Sequence, residues 1–181
     1  MMLPNDINPL SDDDKSAFLW QQVDEHHRAL IVARLRSAPV SVGAIASDLN
    51  LEVVASVLDT NISGMIRIHP DDESRFQIKV NSVEASVRQR FTVAHEISHF
   101  LLHRELIDKK GITDTILFRS GLSDRKEVEA NRLAAFMLLP WNTVHEWTKI
   151  QYGAPPSEAY IDQIAAAFKV SSLTVGFRFG F

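Results

Sequence analysis

Phe91-Thr-Val-Ala-His-Glu-Ile-Ser-His-Phe-Leu-Leu-His103 is the stretch on which the reading of this chain turns. It holds no Gly or Pro and sits among good helix formers, so its spacing is read as helical. Residues 95–99 spell His-Glu-x-x-His. Four residues is little more than one turn, so His95 and His99 leave the helix from the same face. Two imidazoles on one face can share a metal ion. Glu96 stands one step round, where it can reach a water on that metal rather than the metal itself. That is the pattern of a zinc hydrolase, with His95 and His99 as ligands and Glu96 as general base.

Two histidines need a third partner, because a hydrolytic zinc usually has three protein ligands and one open position. His103 is eight residues from His95, about 12 Å along a straight helix, too far for one ion to bridge all three. Patterns that recruit a nearby third His insert a Gly-containing turn, and none follows His99. His103 is therefore read as a helix-end residue near the negative pole of the helix dipole. The better candidate lies in Glu127-Val-Glu-Ala-Asn-Arg-Leu-Ala-Ala-Phe-Met-Leu-Leu-Pro140. Glu127, Ala130, Asn131 and Ala134 fall at i, i+3, i+4 and i+7, on one helix face. Small alanines there permit close approach to the His95–His99 helix. Glu127 is expected as the third ligand, and Asn131 as an acceptor for the ring N–H of a ligating His. Glu129 points roughly 200° away from Glu127, so the two cannot both serve; Glu129 is the alternative. This ligand set suits Zn2+, and also Fe2+ or Mn2+.

The bulk properties narrow the class. The chain has 181 residues, 45% of them hydrophobic, a net charge of −4 and no cysteine. Disulfides, thiolate ligands and a Cys nucleophile are excluded. No overall basic field draws the chain to nucleic acid. The opening Met1-Met-Leu-Pro lacks the basic and apolar regions of a secretory signal. No apolar run approaches the ~18 residues of a membrane span. A soluble cytoplasmic protein is expected.

Along the chain, Ser11–Asp14 reads as a helix start. The helix runs towards Leu35 and is expected to break near His26-His27. Ser41–Leu49 reads as a short helix. Three strands follow, Leu51–Leu58, Gly64–His69 and Phe76–Asn81, the last two joined by a turn at Pro70–Ser74. Helices are expected at roughly 86–104, 123–139, 141–150 and 157–168, with a long loop at 105–122. Strands followed by helices indicate α+β, here a small three-stranded antiparallel sheet packed on a helical bundle that carries the His-Glu-x-x-His helix. The organisation expected is an N-terminal helical segment (1–38), a metallopeptidase core (39–150) and a C-terminal helical segment (151–181) packed on it. The tail Ser171–Phe181 has no assigned role.

These motifs make the chain resemble the ImmA/IrrE family of metallopeptidases. The matching segments are Ser63-Gly-Met, Arg88-Gln-Arg followed by Phe91–His103, and Glu127–Pro140, with an opening at Pro39-Val-Ser-Val-Gly-Ala-Ile-Ala. The resemblance spans roughly residues 39–140. It implies a zincin-like fold, ligands His95, His99 and Glu127, and base Glu96. It also implies a protein substrate, since such members cleave or otherwise inactivate helix-turn-helix repressors of stress or mobile-element genes. Ser98 stands where members often carry Gly, and Leu133 where Phe is common; neither is a ligand.

An oxyanion donor is not evident; His145, Tyr152, Tyr160 and Arg90 are the candidates. The strand Phe76–Asn81 is a candidate cleft wall that binds peptide by strand addition. Two rival readings stand beside the peptidase. One is a zincin-like domain that senses or sequesters a partner without cutting it. The other is a winged helix-turn-helix, with Leu51–Leu58 as its second helix. Asp48, Glu52 and Asp59 argue against the latter, because they would repel phosphate. No direct nucleic-acid or membrane binding is expected.

Overall fold

Asp24 ends the long N-terminal helix that the apolar spacing suggests. Its carboxylate accepts from the backbone N–H groups of His26 and His27, at 2.9 and 3.3 Å, as an N-cap does. The helix is therefore two, α1 (Lys15–Gln22) and α2 (Glu25–Val32), followed by a 3-10 turn at Arg34–Arg36. The break falls close to His26-His27, as expected. The computed structural model describes residues 15–108, 112–113 and 123–181; the helix start expected at Ser11–Asp14 lies outside them.

α3 (Val42–Asp48) opens at Ser41, whose hydroxyl accepts from Ala44 N–H at 3.4 Å. The next segment is a strand, β1 (Leu51–Ser56). That removes the winged helix-turn-helix reading, which needs a helix there. β2 (Gly64–His69) and β3 (Asp72–Asn81) form the expected hairpin, with β3 starting earlier than expected.

The sheet itself corrects the expectation of three antiparallel strands. β1 pairs with β3 in parallel, Leu51 opposite Phe76. A two-residue β4 (Ile112–Thr113), inside the stretch expected to be loop, pairs antiparallel with β2. The order is β1-β3-β2-β4. Alternation along a strand reports which side chains face the core, and says nothing about the direction of the neighbour. β3 is thus an inner strand with both edges paired. It has no free edge to offer a peptide, which corrects the strand-addition role expected for Phe76–Asn81.

Parallel pairing of β1 with β3 makes the chain cross the end of β3 between Ser56 and Gly64. One buried side chain holds that crossing. Asn81 accepts at Oδ1 from Leu58 N–H (3.3 Å) and donates from Nδ2 to the carbonyls of Leu58, Asp59 and Ile62 (3.4, 3.3 and 3.0 Å). In a buried setting each unmet carbonyl would be costly, so the loop is shaped around this residue.

α4 (Ser86–Leu102) packs on β2 and β3 with one side and on α5 (Ser123–Leu138) with another. Every side chain from Thr92 to Phe100 is buried. Pro140 precedes α6 (Trp141–Tyr152), and α7 (Ile161–Phe168) follows. The Phe-rich tail is also a helix, α8 (Ser172–Phe179), capped by Ser171, which accepts from Thr174 N–H at 3.1 Å. Buried Arg178 on α8 donates to Leu139 O at 3.2 Å, just past the end of α5. Trp20, Ile31, Ile66, Ile97, Phe136, Phe168 and Val175 meet in one hydrophobic core, so all three expected segments contribute to it. Among the described residues, no helix is long and apolar enough to cross a membrane.

Candidate metal centre

The centre is built where α4 meets α5. Ala130 and Ala134 on α5 are fully buried, and with no side chain beyond Cβ they let the two helices approach closely. Glu127, one turn before Ala130, then reaches both imidazoles of α4. Its Oε2 lies 3.1 Å from His95 Nε2, and its Oε1 lies 3.2 Å from His99 Nε2. The two Nε2 atoms are 2.9 Å apart. Candidate ligand atoms from these three residues all lie within 4.8 Å of one another.

Asn131, one turn after Glu127, places Oδ1 3.0 Å from His95 Nδ1. An amide oxygen only accepts, so His95 Nδ1 carries the proton of that bond. Its Nε2 lone pair is then directed to the cluster. Burial tends to raise the Glu127 carboxyl, but hydrogen bonds and charge from His95 and His99 outweigh it and hold the pKa at about 2. Burial also lowers His99 below the ordinary imidazole value. The cluster thus offers a carboxylate and, at His99, an imidazole biased to its neutral form, the donor forms a divalent cation requires. Ligands about 2.1 Å from a tetrahedral centre are separated by about 3.4 Å, close to the observed edges. The three residues fit a metal ion.

Glu96 is almost fully buried, and its carboxylate lies against the start of β2. A Cβ placed on Gly64 would be 3.5 Å from Glu96 Oε1, would overlap Thr92 Cγ2, and would sit 2.8 Å from Lys79 O. Only glycine lets β2 and α4 come this close. Gly64→Ala is expected to lower stability by about 1–3 kcal/mol through overpacking. A urea titration reads this as a lower midpoint at unchanged slope, and an unchanged midpoint would contradict it.

The cleft over the cluster has a volume of about 340 Å³ and is lined by Asn61, Ser63, Arg88, Phe91, Thr92, His95, Glu127 and Asn131. Its wall is the crossing loop fixed by Asn81, rather than β3. Arg88 donates to Ser63 Oγ from Nη2 at 2.9 Å, and Ser63 donates to Glu84 Oε1 at 2.8 Å. A larger, mainly apolar cavity of about 490 Å³ adjoins it, sharing Arg88, Phe91 and Asn131 and bounded by Leu173 and Phe177 of α8.

None of the four expected oxyanion donors lines this cleft. The Arg90 guanidinium is spent on the carbonyls of Val40 (2.9 Å), Lys169 (3.2 Å) and Phe168 (3.4 Å). Tyr152 and Tyr160 stack on each other at 4.3 Å, and His145 packs on Trp141. His103 does end α4, its N–H donating to His99 O at 2.8 Å. However, its ring is buried and turned inward, 3.3 Å from His99 Nδ1 and 3.1 Å from Glu129 Oε2. Ser63 and Arg88 were not expected as site residues from the sequence, and His103 and Glu129 were weighed there only as metal ligands. The available signal for that pair was that His103 stands to His99 as His99 stands to His95.

No curated protein matches this sequence. Among solved structures, a Mycobacterium tuberculosis transcriptional regulator aligns with a TM-score of 0.49 and 18% identity, over 89% of this chain and 50% of that one. The chain therefore spans about half the length of that regulator. A family profile described as the IrrE N-terminal-like domain (Peptidase_M78) matches residues 46–179. With that match over most of its length, and with the two helical motifs meeting in space, the chain belongs to the Peptidase_M78 family.

Proposed function

We propose that this chain is a zinc-dependent metalloendopeptidase whose substrate is another protein, a helix-turn-helix repressor in a stress or mobile-element circuit of the cytoplasm. The convergence of His95, His99 and Glu127 carries the peptidase part of this reading. Family membership supports it. The repressor as substrate rests on the family resemblance.

In this reading His95 and His99 bind the ion through Nε2, and Glu127 binds through its carboxylate. Asn131 fixes the His95 ring. A divalent ion held there supplies Lewis acidity, making water acidic near neutral pH and polarising an amide carbonyl. Glu96 takes the proton that water gives up on attack, then delivers it to the leaving amine. The buried surroundings of Glu96 keep bulk water from competing for that proton. Arg88, bonded to Ser63 Oγ and facing the Glu84 carboxylate, presents a cation at the cleft. The apolar cavity beside it suits a large apolar side chain next to the cut bond.

The test is co-incubation of the purified protein with repressors encoded beside it, with and without zinc, followed by mass spectrometry of the products. Two defined fragments that appear only with zinc are expected. An intact repressor that nevertheless stays bound would favour the partner-sequestering reading and overturn the peptidase one.

A further inference from the structure

The ring of His99 is held from behind. His99 Nδ1 lies 3.3 Å from His103 Nδ1, His103 Nε2 lies 3.1 Å from Glu129 Oε2, and Glu129 Oε1 accepts from Arg125 Nε at 2.9 Å. We infer that His103 and Glu129 are positioning residues that orient His99 and fix its tautomer for metal binding, through the relay Glu129–His103–His99.

The proton count leaves one arrangement for the loaded site. If His99 gives its Nε2 lone pair to the ion, its proton is on Nδ1. His99 Nδ1–H must then donate, so His103 Nδ1 accepts. A neutral His103 that accepts at Nδ1 carries its proton on Nε2, which faces the Glu129 carboxylate, an acceptor. Every donor in the series meets an acceptor, with the negative charge at the far end. A carboxylate behind a ligating imidazole raises the basicity of the metal-facing nitrogen and stops the ring from rotating. Here a second imidazole is interposed, so the charge reaches His99 without entering its buried surroundings. Glu129 itself stays near the surface, its side chain 23% exposed and paired with the exposed Arg125.

The two ligating histidines are thus oriented by different means. His95 leans on a neutral amide, Asn131, and His99 on a charged relay. Both supports come from α5, the helix that also supplies Glu127. Glu129, the alternative third ligand expected from the sequence, points away from Glu127 around α5. That same divergence brings it to His103, one turn past His99.

This inference rests on the metal-binding reading above, and its test separates the two. Zinc affinity of the full chain would be measured by competition with a chromophoric chelator, and Co2+ absorption spectra would report the ligand field. His103→Phe removes both bonds of the ring while filling the same space. It is expected to weaken zinc binding by about 10–100-fold and to shift the Co2+ bands. Glu129→Leu cuts the relay at its exposed end while keeping both imidazoles in the chain, and is expected to cost about tenfold. His103→Gln, whose amide oxygen can accept from His99 Nδ1–H, is expected to recover much of the loss. If the His103→Phe variant does not fold, Glu129→Leu carries the test alone. Folded variants with wild-type zinc affinity and unchanged Co2+ spectra would overturn the relay while leaving the metal site standing. A wild-type chain that binds no zinc would remove the metal reading and the relay with it.

Discussion

Replacing Glu96 by Gln is expected to abolish detectable proteolysis while leaving the metal in place. A positioned general base contributes typically 10²–10⁴-fold, and the Gln amide cannot take a proton at neutral pH. The substitution keeps the shape of a nearly fully buried side chain wedged against Gly64. Zinc content by elemental analysis should therefore match wild type while cleavage of the repressor falls at least about a hundredfold. A variant that still cuts at the wild-type rate would remove Glu96 from the mechanism.

Glu127→Ala should have the opposite signature, losing metal and activity together. The carboxylate is the only anionic group of the three, and its removal leaves two imidazoles 2.9 Å apart with no charge to hold a cation between them. The loss of affinity should exceed the roughly 10–100-fold that an outer partner costs. The same site sets how acid releases the ion. Glu127 stays ionised down to about 2, so its protonation is not the step that ejects metal. The imidazoles are. His99 is pulled below the ordinary value of about 6.5, chiefly by burial. A lowered pKa keeps the neutral, metal-binding form present at lower pH than in a free imidazole. Retention of zinc is thus expected above pH 6.5, with release only as pH falls well below it. Release already complete near neutrality, followed by chelator dye, would contradict this assignment.

The parts of the site that were legible in the sequence are those governed by helical geometry. His95 and His99 are locked to one face by a four-residue spacing, and Glu127 with Asn131 is marked by the alanines between and beyond them. Both are local patterns with a fixed period. The sheet was legible only in outline. Leu51–Ser56 showed its strand character through β-branched residues, but its parallel partner lies beyond β2, with Leu51 opposite Phe76. No local pattern records that. β4 was invisible because two residues show no alternation. The cleft wall at Asn61 and Ser63 was missed for the same reason: it is set by where the crossing loop lands. Arg90 was misjudged as a cleft residue because a sequence does not show which carbonyls lack donors, and three of them claim its guanidinium. The tail was unassigned because Phe and Gly suggest no polar terminus. Packed as α8, Phe179 lies against the core and Phe177 bounds the apolar cavity.

The placement of β3 between β1 and β2 also orders events in time. β1 leaves the ribosome first, yet it has no strand to join until β3 has been made, since β3 is its neighbour in the sheet. The β2–β3 hairpin closes over a tight turn and can zip by itself, whereas β1 docks only after a longer closure. Pulse-labelled hydrogen exchange is expected to protect the amides of the hairpin before those of β1, and the reverse order would refute this. Asn81 is the last residue of β3, so the mouth of the candidate metal site takes its shape only when that late docking is done. Until then the histidines of α4 face a cleft whose outer wall, at Asn61 and Ser63, is not yet in place.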